Sequence, residues 1–178
     1  SADAASESTR MPRFQLPLFG TIEFPGDSYG EYLTTVEFAG AEVEIDLNVE
    51  GESFPEGAAT SLLRRLDDLA ALDAATRKAM AESCAAPDEV SWVAEYHKHH
   101  LGECSEAELA SFFGPESADR SVEAMIDRLR LVRIGLYPRD PYEPALVMDY
   151  TMGERITDSL IVAKYDNAGE LSELVIES

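Results

Sequence analysis

The chain has 178 residues with 45% hydrophobic content, and its 35 acidic against 14 basic side chains give a formal net charge of −21. This length suits a single domain with one core and is short for two. The negative charge argues against nucleic acid and anionic membranes as partners, because phosphate groups are held by clustered Lys and Arg. No window approaches the roughly 20 consecutive apolar residues that a membrane-spanning helix needs.

The N-terminal residues Ser1 to Arg10 are small and polar, without hydrophobic periodicity. They lack the basic start and the apolar stretch of a secretory signal, which favours a cytoplasmic location. We expect residues 1–13 to be a disordered tail and residues 14–178 to form one domain. The cysteines Cys84 and Cys104 make no disulfide framework, and we expect reduced thiols in that compartment; the alternative is a single bridge between them.

Strand periodicity dominates the N-terminal part of the domain. Thr21 to Phe24 and Tyr32 to Phe38 are predicted short strands, and Glu42 to Val49 alternates most regularly. In this last strand one face carries Val43, Ile45, Leu47 and Val49, and the other carries Glu42, Glu44, Asp46 and Asn48. Such alternation predicts one buried face and one wet face, as in an antiparallel sheet.

Helical periodicity occupies the middle of the chain. A first helix is predicted from an apolar stripe of Ala59, Leu62, Leu63, Leu66, Leu69 and Ala70. Asp73 is the expected N-cap of the next helix, and Ser105 with Glu108 forms a capping box for a later one. The fifth predicted helix runs from about Ala118 to Arg130, and Trp92 is expected in the core.

Strand patterns return after the helices, at residues 131–137, 145–152, 160–165 and 171–176, the last two joined by a turn over residues 166–169. Val132, Ile134 and Leu136 are expected to share one face of the first of them. Strands, then helices, then strands indicate an α+β fold. We predict the N-terminal strands and the C-terminal β-meander in one mostly antiparallel sheet, with a central block of about five helices packed on one face.

Several short motifs carry a family resemblance. They are Phe19-Gly20-Thr21-Ile22, Asp149-Tyr150-Thr151-Met152-Gly153, Ile156-Thr157-Asp158, Val162 to Asp166 with Gly169, and the terminal Glu177-Ser178. Over about Phe14 to Ser178 the chain resembles a bacterial family catalogued as domain of unknown function two-thousand-and-four. The resemblance implies a small bacterial cytosolic protein, and it supplies neither a reaction nor a catalytic residue.

All three histidines lie in one short segment, Tyr96-His97-Lys98-His99-His100, followed by Cys104. On a helix His97 and His100 are neighbours one turn apart, so with Cys104 they could bind zinc. Against this, the spacing matches no closed zinc site. Histidines near a helix C-terminus also serve as caps, because they donate to free carbonyls and interact favourably with the dipole.

The wet face of the predicted strand carries Glu42, Glu44 and Asp46 at alternate positions, and Glu23 and Glu37 could join it if the register allows. One interpretation is a solvated sheet face. The other is docking of a basic protein, where charge complementarity speeds association. The spacing does not match a calcium-binding loop.

A third group, Asp149, Tyr150 and Asp158, lies near predicted strand ends. Acids so placed can form an active-site pair in which one pKa is raised. The alternative is structural, with Asp158 shaping a turn while Tyr150 packs in the core.

Two hypotheses of function follow. The charge and the lack of a catalytic signature favour a non-enzymatic acidic module, without a cofactor, that docks a basic protein partner of immunity or regulatory type through Glu42, Glu44 and Asp46. The alternative is a small metal-binding protein or metal-dependent enzyme, with zinc at the histidine and cysteine cluster.

Overall fold

The computed structural model describes residues 11–26, 29–86, 88–138 and 144–178. The strands are β1 Arg13–Leu16, β2 Gly20–Glu23, β3 Gly30–Phe38, β4 Ala41–Val49, β5 Arg130–Leu136, β6 Leu146–Thr151, β7 Leu160–Tyr165 and β8 Leu171–Glu177. The helices are α1 Glu56–Arg64, α2 Leu69–Ala85, α3 Trp92–Glu103, α4 Glu106–Phe113 and α5 Val122–Arg128, with a 3₁₀ turn at Arg65–Asp68. Most of the predicted tail lies outside the described residues.

Six strands form one sheet in the order β3-β4-β5-β6-β7-β8, and every pairing except β4–β5 is antiparallel. The β4–β5 pair is parallel because the whole helical block connects these strands and returns the chain to the same end of the sheet. The predicted α+β class and the mostly antiparallel sheet are confirmed. The predicted strand from Thr21 to Phe24 does not join this sheet as expected, because β2 pairs with β1 in a separate two-stranded sheet.

The core lies between the helices and one face of the sheet. On the helix side the fully buried apolar residues include Ala59, Leu63, Met80, Val93 and Met125, and on the sheet side Val43, Ile45, Leu47, Ile134, Leu136, Leu146 and Met148. Thr76 of α2 reaches the sheet directly, with its Oγ1 atom 2.5 Å from the Tyr165 hydroxyl. No helix in the described part of the chain combines the length and the apolar character that a membrane crossing requires.

The helix starts confirm one predicted cap and correct another. The Ser105 hydroxyl accepts from the Glu108 amide at 3.2 Å, and the Glu108 carboxylate accepts from the Ser105 amide at 3.0 Å, so the capping box is present. Asp73 is not a cap, because Asp68 caps α2 by accepting from the Ala71 amide at 3.1 Å. The predicted first helix is also divided, since its stripe passes through the 3₁₀ turn into α2.

Asp73 lies inside α2, where it belongs to a buried polar network that ties this helix to the sheet. It accepts from the Tyr150 hydroxyl at 2.8 Å and from Arg77 Nε at 2.9 Å. Arg77 also donates to the carbonyl oxygens of Ile126 and Leu129, at 2.5 and 2.8 Å. Burial and the neighbouring Asp73 carboxylate raise the pKa of Tyr150, which keeps its hydroxyl proton in place for this bond.

Two further expectations about packing are wrong. Trp92 is 49% exposed, because it begins α3 directly after the Ser91 cap and faces outwards there. In β5 a bulge between Leu131 and Arg133 shifts the alternation, so Leu131 enters the core and Val132 is only partly buried. An extra residue in one strand moves the following side chains to the opposite face, and here it puts Arg133 on the face away from the helices.

The tight hairpin turns follow the local sequence. Gly169 has a φ of +84°, and its amide donates to the Asp166 carbonyl at 3.1 Å, as predicted for the β7–β8 turn. The β3–β4 turn consists of Ala39 and Gly40, with φ values of 51° and 80°. Positive φ at both central residues is the requirement of a type I′ turn, and alanine tolerates it poorly.

We expect Ala39→Asn to raise the free energy of unfolding by about 0.5–1 kcal/mol, because asparagine adopts the left-handed conformation at lower cost. Urea denaturation of the variant and the wild type measures the difference. The control is Ala41→Asn, which replaces the first residue of β4 and should bring no stabilisation. A lower stability for Ala39→Asn contradicts the turn assignment.

Candidate functional site

The second face of the six-stranded sheet, opposite the helices, carries the predicted acidic residues of β4. Glu42 and Glu44 are exposed there, but Asp46 is only 2% exposed. The expectation that Asp46 lies on a wet surface is therefore wrong. The reason is the parallel pairing with β5, which brings Arg133 beside it, and so Asp46 is enclosed in an ion pair.

Arg133 lies at the centre of this face and binds acids from both neighbouring strands. Its Nη2 atom donates to Asp46 Oδ1 at 2.8 Å, and its Nε atom also pairs with the Asp46 carboxylate. Its Nη1 atom donates to Asp149 Oδ2 of β6 at 3.2 Å, and Nη2 donates to the Tyr137 hydroxyl at 3.2 Å. One guanidinium thus joins β4, β5 and β6.

Burial and pairing act against each other on these charges. Burial alone would lower the pKa of Arg133, but its bonds to Tyr137 and Asp46 raise it above the ordinary value. For Asp149 burial is the larger effect and raises its pKa, although the Arg133 charge lowers it in part. The guanidinium therefore stays charged. Asp149 takes up a proton more easily than an ordinary aspartate, because it is buried.

Gly135 makes room for this arrangement, because it lies between Arg133 and Tyr137 on the same face of β5. A Cβ atom at this position would lie 3.0 Å from Arg133 Nη2 and 3.1 Å from Tyr137 Cε2. Any side chain here would push apart the two groups that meet above it. On β4 the network continues through Asn48, whose Nδ2 atom donates to Asp46 Oδ1 at 2.5 Å.

We expect Arg133→Met to lower the free energy of unfolding by about 3–5 kcal/mol at neutral pH, because two buried carboxylates lose their cation. Burial already raises the folded-state pKa of Asp149, and the loss of the Arg133 charge would raise this pKa further. The folded variant takes up protons first, so the loss should shrink as the pH falls from about 7 to about 4.5.

Urea denaturation of the variant and the wild type at both pH values measures this loss. Placing Arg133→Met in an Asp46→Asn, Asp149→Asn background is the control, and it should reduce the loss at neutral pH. An equal loss at both pH values would mean that the carboxylates are not the cause.

The outer part of this face, on β3 and β4, carries acids without cations. Glu31, Glu37, Glu42 and Glu44 are all exposed, and no described Lys or Arg forms an ion pair with them. Glu37 lies directly opposite Glu42. Glu23 does not join them, because it belongs to the separate β1–β2 hairpin and pairs with Arg13 at 2.9 Å.

The geometry of the β3–β4 hairpin brings the two opposed acids close together. A two-residue type I′ turn is closed by a hydrogen-bonded pair, here Phe38 and Ala41. Pairs alternate along an antiparallel ladder, so Glu37 and Glu42 form a non-hydrogen-bonded pair, in which the Cα atoms are only about 4.5 Å apart. Like charges in such a pair destabilise the hairpin by about 0.2–1 kcal/mol.

The opposite end of the sheet differs in its charge. There Lys164 of β7 lies 3.0 Å from Glu177 and 3.9 Å from Glu173, both on β8. The acids of β8 are thus partly neutralised within the sheet, whereas Glu31, Glu37, Glu42 and Glu44 have no such cation among the described residues. We call the surface formed by Glu31, Glu37, Glu42 and Glu44 the acidic edge.

The predicted zinc ligands lie in three different environments. His97 Nε2 lies 2.8 Å from the Arg120 carbonyl oxygen. His100 is buried, with Nδ1 2.7 Å from the Tyr96 carbonyl oxygen and Nε2 2.9 Å from Thr157 Oγ1. Burial, Glu108 and Glu103 raise the pKa of the Cys104 thiol, which disfavours the thiolate that a metal would need.

The described residues contain no group of three or more His, Cys, Asp or Glu side chains placed to hold a metal ion. Both ring nitrogens of His100 already have protein partners, and a neutral imidazole that donates from Nδ1 and accepts at Nε2 satisfies both. The zinc hypothesis therefore gains no support from the contacts of His97, His100 and Cys104. Cys84 and Cys104 are both free.

Burial lowers the pKa of His100 below its ordinary value of 6.5. The unfolded chain therefore takes up the proton first, so the stabilisation by neutral His100 is complete above that value and is lost as the pH falls below it. Between about pH 7.5 and about pH 5.5 we expect the wild type to lose more free energy of unfolding than His100→Gln. Urea denaturation at both pH values measures this loss, and the control Lys98→Gln, at an exposed position of the same helix, should follow the wild type.

The third predicted group is divided between the two faces of β6. Asp149 points to Arg133 on the second face, and Tyr150 points to Asp73 on the helix face. Asp158 is exposed. The neighbouring Thr157 hydroxyl accepts from the Ser159 amide at 3.0 Å, which supports the structural interpretation of this turn. The structure therefore does not bring Asp149 and Asp158 together as an acid pair.

Sequence reasoning missed Arg133 and Gly135, the two residues on which the central network depends. A signal was present, because an arginine within an otherwise apolar strand requires a buried acid or an exposed face. The sequence could not show which acid pairs with Arg133, because Asp46 is 87 residues away along the chain.

Searches of protein-family models, of curated proteins and of solved structures each returned no match to this chain. The resemblance to the uncharacterised bacterial family therefore stays a prediction. The assignment of function below depends on the geometry and charge of the described residues alone.

Proposed function

We propose that this protein is a non-enzymatic binding module that docks a basic protein partner on the acidic edge. The observation that carries the proposal is the directly opposed pair of Glu37 and Glu42, which are exposed and have no ion pair in the described chain. A fold does not gain stability from such a pair. A cationic partner relieves the repulsion between the two carboxylates. The pair that destabilises the free protein therefore favours binding of that partner.

The organisation of the rest of the second face supports this role. The buried acids of the same face are neutralised by Arg133, and Glu173 and Glu177 are near Lys164. The unneutralised charge is thus concentrated at one side of the sheet. The proposed docking surface keeps Glu42 and Glu44 from the sequence prediction, includes Glu37, which that prediction allowed, and adds Glu31. Asp46 is not part of this surface, because it is buried in its ion pair with Arg133.

The net charge of −21 adds a long-range component to this local one. A strongly negative protein attracts cationic partners over about one Debye length, roughly 8–10 Å at physiological salt. Association should therefore be fast at low ionic strength and slow at high ionic strength. An immunity-type or regulatory module that captures a basic protein would gain specificity and speed from this distribution.

The test is capture of partners from a lysate of the source organism at low and high salt, followed by measurement of association rates with the purified partner. We expect Glu37→Gln, Glu42→Gln, Glu44→Gln to lower the association rate constant by about tenfold or more at low salt, because rim charges act mainly on association. The variant should fold at least as stably as the wild type.

The control carries the same change of net charge at exposed positions outside the sheet, namely Glu82→Gln, Glu89→Gln, Glu116→Gln. This control should keep most of the wild-type rate. If both triple variants slow association equally, only the total charge matters and the acidic edge is not the docking surface. If no salt-sensitive partner is captured at low salt, the docking function itself is contradicted.

A further inference from the structure

The outer edge of β3 ends the six-stranded sheet. β3 pairs with β4, and in the described part of the chain no further strand lies on its other side. An edge strand presents a row of backbone N–H and C=O groups that can pair with another chain. Among the described residues, no backbone hydrogen bond outside the β3–β4 pair involves the residues from Glu31 to Phe38.

The register of the hairpin identifies which backbone groups point outwards. Because Phe38 and Ala41 form the hydrogen-bonded closing pair, the alternate residues of β3 direct their N–H and C=O groups away from β4. These residues are Glu31, Leu33, Thr35 and Glu37. Their side chains all lie on the second face, the same face as the acidic edge.

The same four residues therefore offer backbone pairing and side-chain charge together. All four are exposed, and Leu33, between the two acids, is 58% exposed. Acids on an edge strand can have a purely protective role, because two copies of the chain paired through β3 would bring like charges together. An exposed leucine at the centre of the row does not serve that purpose, since it adds apolar surface to the edge.

We propose that an extended basic segment of the partner pairs antiparallel with β3 and adds a seventh strand to the sheet. This inference rests on the proposed docking function and names its mode. In an antiparallel pair, residues with inward backbone groups lie directly opposite those of β3 and share their face. The partner segment thus has basic residues opposite Glu37 and Glu31, a small polar residue opposite Thr35 and an apolar one opposite Leu33.

The probe is the synthetic peptide Lys-Thr-Thr-Val-Leu-Thr-Lys with blocked termini, added to the full chain. Hydrogen exchange of backbone amides is followed with and without the peptide. We expect the amides of Glu31, Leu33, Thr35 and Glu37 to exchange at least about tenfold more slowly when the peptide is bound, because they gain hydrogen bonds. The intervening amides already bond to β4 and should change little.

Two methylated peptides distinguish strand pairing from simple charge attraction. N-methylation at the third and fifth residues removes the inward donors and should weaken binding by roughly tenfold or more. N-methylation at the fourth and sixth residues alters only outward groups and should be tolerated. A charge-exchange variant tests whether the peptide binds at β3. The variant Glu31→Lys, Glu37→Lys should no longer bind the basic peptide and should bind Glu-Thr-Thr-Val-Leu-Thr-Glu instead.

The outcomes separate this inference from the function on which it rests. If the basic peptide binds in a salt-sensitive way but both methylated peptides bind equally well, strand addition is overturned and charge-mediated docking stands. If the unmodified peptide does not bind, strand addition is also overturned, and the capture experiment decides the docking function independently. If sedimentation shows a dimer with these amides protected before peptide is added, the occupant is a second copy and the proposal fails.

Discussion

The guanidinium of Arg133 connects three adjacent strands, because β4 and β6 each direct a buried aspartate towards it. Two carboxylates cannot remain charged in a protein interior without a cation and hydrogen bonds, so Asp46 and Asp149 are tolerated only while this arginine stays between them. The constraint also fixes the register of the strands. A slip of one residue in β4 would send Asp46 into the apolar core and Ile45 out of it.

Other features of the sheet make sense as conditions for this ion network. The bulge at Val132 shifts the phase of β5 so that Leu131 faces the core while Arg133 faces the acids. Gly135 leaves the space in which Arg133 and Tyr137 converge. On the opposite face a second network, Asp73 with Arg77 and Tyr150, attaches α2 to β6 and to the end of α5. The two networks hold the sheet from both sides.

The distribution of charge says more about function than its total. A net charge of −21 could be spread evenly for solubility. On the second face, however, the central acids pair with cations, whereas those at the β3 side have no ion pair within the described residues. In the histidine cluster, closeness in the sequence does not produce a shared site. Its members are adjacent in the chain, yet their ring nitrogens bond to different groups, with His97 at Arg120 and His100 at Tyr96 and Thr157.

The sequence by itself determined the features whose causes lie within a few residues. The alternation of β4, the capping box at Ser105 and the turn ending at Gly169 were predictable because hydrophobic period, cap hydrogen bonds and left-handed φ are local properties. The α+β class followed from the order of such segments. The exposure of Glu42 and Glu44 was likewise readable from the alternation.

Only the tertiary structure decided which charges are buried and which are free. Asp46 has the same alternation as Glu44, yet it is enclosed because Arg133 reaches it from 87 residues away. Asp73 matched a helix cap by sequence, yet it is a buried partner of Tyr150, 77 residues away. The physical reason is that the cost of burying a charge depends on a partner supplied by the chain topology, and a local pattern holds no information about that partner.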